Sequence, residues 1–166
     1  MSDLIRKLEH DHGESLRHLT RLLNELLVQA QDERRSLAEI HNDFLEALDE
    51  MCLEVDHFAA EETSLFPAIL AALPALAPLV DEVLRSHRVL DGQVAELAQT
   101  LQRGPAVLRA DLSALTALVE RFLAEFSLHA EREDTLLRQA QEGLTPQQKA
   151  ALEASPAVPG GRAGSG

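Results

Sequence analysis

The chain has no tryptophan, no tyrosine, five phenylalanines and one cysteine in 166 residues. A single cysteine, Cys52, rules out an intrachain disulfide framework and a thiolate metal cluster, and it reads as a small core residue. The β-branched and aromatic runs that mark strands are nearly absent. No apolar stretch approaches the roughly 18 residues that a membrane span needs. Basic residues are scarce beside acidic ones, 15 against 28, and the net charge of −13 argues against nucleic acid or an anionic membrane as a partner. The charged start MSDLIRKLEHDHGE lacks the apolar core of a signal peptide, so a cytoplasmic location is expected.

Apolar residues make up 45% of the chain, mostly Leu and Ala, and with Glu and Gln they favour helix. Helix-period apolar residues mark four long segments. The first spans about 3–31, with Leu16, Leu19, Leu23 and Leu26 on its stripe. Ser36, with Glu39 three residues on, reads as a capping box opening the second. That helix is expected to run to about Phe66, where Pro67 kinks or closes it. The third spans about 78–103, ended by Gly104-Pro105, and the fourth about 106–141, stopped by Gly143. Thr145-Pro146 starts a short terminal helix, and the Gly- and Pro-rich end reads as a flexible tail. The expected fold is all-α: an antiparallel up-down-up-down four-helix bundle of two similar hairpins over 1–142, followed by the short helix and tail of 143–166.

His57 and Glu61 stand four residues apart, and so do His129 and Glu133, which places each pair on one helix face a turn apart. Imidazole with carboxylate suits divalent iron, manganese or zinc. Such a pair arises easily by chance, and His10-Glu14 is one example. Repetition is the stronger signal. Glu61-Glu62-Thr63 is echoed by Glu133-Asp134-Thr135, and His12 recurs as His87 at nearly the same interval. Folding each hairpin at its polar loop or its Gly104-Pro105 turn brings the histidines of each pair to equal depth, toward the open end of the bundle. Apolar residues at same-face offsets point His12, His87 and His129 at the core. The second helix is less regular. Glu46, Glu50, Leu53 and Glu54 share the His57 face, while Phe44, Leu48, Met51, Cys52 and Val55 lie on the other side. A bend or π-bulge near the site would reconcile the two, and Glu54 becomes a candidate extra ligand.

His10, His18 and His41 read as surface residues, and so do Glu62 and Asp134. Phe58, Phe66, Phe122 and Phe126 read as core, with Phe122 and Phe126 placed to keep the site dry. A buried His–Glu network without metal is the bland alternative, and it would bury carboxylates with few donors to offset their desolvation.

The segments DHGESLRHL, HFAAEETSLFP, SHRVLDGQV and HAEREDTLL follow the order His, His-x3-Glu, His, His-x3-Glu. In this the chain resembles the hemerythrin-like, HHE cation-binding proteins over about residues 3–142. The resemblance implies two iron ions joined by an oxo or hydroxo group. Glu61 and Glu133 would be the bridging carboxylates, and His12, His57, His87 and His129 the terminal ligands. Oxygen-carrying members use a fifth histidine four residues from the third-helix one, where this chain has Val83 and Asp91. Each iron therefore keeps an open position unless Asp91, Glu54 or water fills it. The function implied is binding or sensing of oxygen, a related small oxidant or nitric oxide. The alternatives are a di-iron enzyme that consumes peroxide or oxidises iron, and a metal-free helical interaction module.

Overall fold

The computed structural model describes the backbone of residues 3–153 and the side chains of residues 13–152. The described residues are helical, with no strand among them. Seven α-helices follow one another: α1 (Asp3–Gln31), α2 (Leu37–Ala60), α3 (Phe66–Ala72), α4 (Ala77–Leu101), α5 (Val107–Ala110), α6 (Leu112–Gly143) and α7 (Pro146–Glu153). A π turn, Glu61–Leu65, joins α2 to α3, and a 3-10 turn, Pro74–Leu76, leads into α4. None of these helices is long and apolar enough to cross a membrane.

Several boundaries follow from single residues. Ser36 has extended backbone, and its hydroxyl accepts the Glu39 N–H at 3.4 Å, capping α2 as the Ser-x-x-Glu pattern predicts. After α4 the chain turns at Gly104, whose φ of +88° lies in the left-handed region that glycine enters without steric cost. α6 stops at Gly143, where an added Cβ would lie 2.9 Å from a methyl carbon of Leu73. Thr145 and Gln148 then exchange hydrogen bonds as a capping box at the start of α7.

Two expectations are corrected here. Pro67 does not close the second helix. The chain stays helical to Ala72, with the π turn just before the proline. In a regular helix the Pro67 ring would press on the Thr63 carbonyl. The turn before it is instead widened: the Phe66 N–H reaches back five residues to the Glu61 carbonyl, and the Thr63 hydroxyl donates to the Ala59 carbonyl at 2.7 Å. The fourth helical segment is not continuous either. It breaks at Asp111, between the single turn of α5 and the long α6.

The four long helices are mutually packed: α1 lies against α2 and α6, and α4 against α2 and α6. Their apolar faces form two separate clusters. The larger holds Leu19, Leu23, Phe44, Met51, Leu90, Leu97, Val119 and Phe126 among others. The smaller gathers Leu65, Phe66 and Ile69 from the π turn and α3, Val80 and Val83 from α4, Leu136 and Leu137 from α6, and Leu144 and Leu152. Each fully buried side chain of this kind contributes about 1.5–3 kcal/mol. Along α4 and α6 a short polar stretch separates the two clusters, and in the second helical segment the π turn does so. The described histidines of interest therefore occupy a layer with apolar packing on both sides.

Candidate metal centre

The polar layer is built from three segments. The end of α2 and the first residue of the π turn supply His57 and Glu61, α4 supplies His87, and α6 supplies His129 and Glu133. Burial is graded. His129 and Glu133 are fully buried, His87 and Glu61 are 3% exposed, and the His57 side chain is 25% exposed. The irregular stripe of the second helix has this outcome: Phe44, Ala47, Met51 and Phe58 face the core, and His57 stands at its rim. The π turn begins only at Glu61, beyond His57, so it does not turn the histidine inward.

The donor atoms meet in pairs. His57 Nε2 lies 3.0 Å from Glu61 Oε1, and His87 Nε2 lies 3.4 Å from Glu61 Oε2, so the two oxygens of one carboxylate face two different imidazoles. His129 Nε2 lies 3.2 Å from Glu133 Oε2. The His87 and His129 rings are 4.9 Å apart. Among the described residues no group of three or more His, Cys, Asp or Glu side chains already surrounds a single ion-sized point. The pairs nonetheless fit a cation. With metal–ligand bonds of about 2.0–2.2 Å, neighbouring donors of one shell stand roughly 3 Å apart, which is the spacing observed within each pair. The donor set, imidazole with carboxylate, is the one that suits iron, manganese or zinc.

Electrostatics favour a cation here as well. Burial pushes the Glu133 carboxyl well above the usual carboxylate range, and the charge and hydrogen bond of Glu61 and the charges of Asp134 and Glu54 add to the rise. A carboxyl buried in this way favours its protonated form, and a bound cation would take the place of that proton. Arg132 is the neighbouring positive charge on α6, and it is already engaged: it lies 3.1 Å from Glu125 Oε1 and donates to the Ser86 hydroxyl, which in turn donates to Glu125 at 2.6 Å. This network ties α4 to α6 beside the site.

Three aromatic rings wall the layer. Phe58 stacks on His87 at 4.1 Å with the planes 5° apart and meets His129 edge-on at 4.9 Å. Phe66 covers His87 at 5.8 Å, and Phe126 lies along His129 at 6.2 Å. All four phenylalanines expected in the core are buried, and Phe122 lies 5.6 Å from Phe126.

The remaining candidates fall as follows. His12, with His10, lies outside the described side chains. Glu54 is half-buried one turn before His57, and its charge acts on Glu133. Asp91 is exposed and acts on Cys52, and Val83 is buried in the smaller apolar cluster. His18 is at the surface as expected, 2.8 Å from Glu50. His41 is not: it is buried, and its Nε2 lies 2.7 Å from the Leu101 carbonyl near the end of α4. Cys52, expected in the core, is exposed. Asp134 is exposed, as expected. Glu62 is exposed too, but its role was missed: Oε1 lies 2.8 Å from His87 Nδ1. Its place directly after Glu61 was the only signal in the sequence.

Compared with known proteins, the chain matches the family model described as the hemerythrin HHE cation-binding domain over residues 3–140. No curated protein and no solved structure matches it. The match spans all three histidine-bearing segments of the layer and the α1 segment that carries His12, and the chain belongs to the hemerythrin HHE cation-binding domain family.

Proposed function

We propose that the chain is an antiparallel four-helix bundle holding two iron ions, and that it binds or senses oxygen, a related small oxidant or nitric oxide. The observation that carries this reading is the Glu61 carboxylate, whose two oxygens face His57 and His87 separately. A carboxylate so placed is disposed to bridge two ions. Glu133, on which the Glu61 charge acts, would be the second bridging carboxylate, with His129 beside it and His12 of α1 as the sixth proposed ligand. Iron held by these residues would supply redox chemistry toward a small oxidant. The protein's part is to orient the donors, to exclude water with Phe58, Phe66 and Phe126, and to leave a position open. Val83 and Asp91 leave the His87 end one imidazole short of a saturated shell.

That open position also favours a second reading, an enzyme that consumes peroxide or oxidises iron. Visible spectra of the ferrous protein exposed to oxygen separate the two. A stable, reversible oxygenated form supports binding, and rapid conversion to a ferric form that turns over peroxide supports the enzyme. An iron content near zero after anaerobic loading, against the expected two per chain, would refute both and leave the metal-free interaction module.

A further inference from the structure

The His87 ring is held at both nitrogens by consecutive residues of the π turn. Nε2 faces Glu61 across the buried layer at 3.4 Å, and Nδ1 meets Glu62 Oε1 at 2.8 Å. Glu61 is buried, whereas the Glu62 side chain is 42% exposed. A carboxylate can only accept, so a contact of this length places a proton on Nδ1. The lone pair of the neutral ring is then at Nε2, on the inner side where the other donors converge. The ring cannot readily turn over to exchange its nitrogens, because Phe58 lies flat against one face at 4.1 Å and Phe66 covers it at 5.8 Å. At His129, Nε2 lies 3.2 Å from the buried Glu133.

We infer that Glu62 is a positioning residue, which fixes His87 as a donor through Nε2 and raises the affinity of the layer for a divalent cation. The inference rests on the cation-binding reading above. Both carboxylates belong to the first two residues of the widened turn from Glu61 to Leu65, and they meet the two edges of one imidazole. Outer carboxylates of this kind commonly govern metal affinity by about 10–100-fold.

The test uses the full chain as wild type, Glu62→Ala and Glu62→Gln. Metal-free protein is titrated with zinc, and with ferrous iron without oxygen. The zinc-loaded forms are then examined by nitrogen-15 NMR of the histidine rings. Glu62→Ala should weaken binding of both ions by about 10–100-fold. Glu62→Gln should fall between, because its amide oxygen still accepts from Nδ1–H. In the wild type the His87 Nδ1 proton should exchange slowly with water, and in Glu62→Ala quickly. Unchanged affinity with a slow Nδ1 proton in Glu62→Ala would overturn the inference alone. So would a loss of affinity matched by an equal loss of helix in the metal-free variants, which would mark a merely structural role. A wild type that takes up neither ion would overturn the cation-binding reading with it.

Discussion

Glu61 and Glu133 come from different helical segments, yet both carboxyl groups are buried in the layer that separates the two apolar clusters, and the charge of Glu61 acts on Glu133. In that position a proton on Glu133 offsets the charge that a bound cation would otherwise balance. Most of the behaviour expected of the metal-free chain follows from this pair.

Glu133 keeps its proton to a pH well above its ordinary pKa of 4.5, chiefly because it is buried. The folded state therefore binds more protons than the unfolded one once the pH exceeds 4.5, and folding stability must fall as pH rises toward the folded-state pKa. Chemical denaturation of metal-free protein across pH should show that fall. Glu133→Gln, which keeps the shape without the ionisation, should flatten the curve and be the more stable form at neutral pH. Metal uptake by the wild type should release protons, so affinity should rise with pH in the same window.

Phe58 touches two imidazoles at once. Phe58→Ala removes the ring stacked on His87 and the edge contact to His129, and leaves a cavity in the wall of the layer. The expected loss is about 3–5 kcal/mol in the metal-free protein, measured by denaturant titration. Phe58→Leu should recover most of the stability but not the ring stacking, so cation affinity should stay below wild type.

The His41 ring donates from Nε2 to the Leu101 carbonyl in the last turn of α4, and that carbonyl also accepts the Gly104 N–H at 3.0 Å. His41→Ala should cost about 0.5–1.5 kcal/mol of stability, the usual net worth of one hydrogen bond, since the carbonyl keeps its bond from Gly104. Metal content should be unchanged, since the contact lies at the far end of α4 from His87.

Cys52 is exposed yet should react sluggishly. Partial burial of the thiol raises its pKa above the ordinary 9.0, and the carboxylates of Asp49, Asp56 and Asp91 raise it further. Alkylation by a neutral reagent at pH 8 should be slower than for a free thiol. Asp56→Asn or Asp91→Asn should speed it.

Much of the architecture could be read from local pattern. The extent of α1, the Ser36 cap, the stop at Gly143 and the Thr145-Pro146 start all depend on residues close in sequence. The inward facing of His87 and His129 was legible for the same reason: their apolar neighbours recur at helical spacing. What escaped depends on partners distant in the chain or on a conflict of forces. His41 is buried because a carbonyl 60 residues away accepts from it. Glu62 looks like one more surface acid until α4 is placed beside it. A break in the helical repeat near the site was foreseeable. Its position was not, since it follows from the demand of Pro67 on the turn before it, weighed against continued packing of Phe66 and Ile69.

The π turn has a further consequence, which concerns chain length. A turn closed over five residues contains one more residue than its α-helical counterpart. Deleting a single residue between Glu61 and Leu65 would let the segment run as unbroken α-helix, with His57 on one side and Phe66 and Ile69 on the other close to their present faces. The change would fall inside the turn. There the Glu61 and Glu62 carboxylates could no longer both keep their places beside His87, and the Pro67 ring would press on the carbonyl four residues before it. Substitutions in this stretch alter one side chain at a time, but a loss of one codon there would disturb both carboxylates together while sparing the apolar floor.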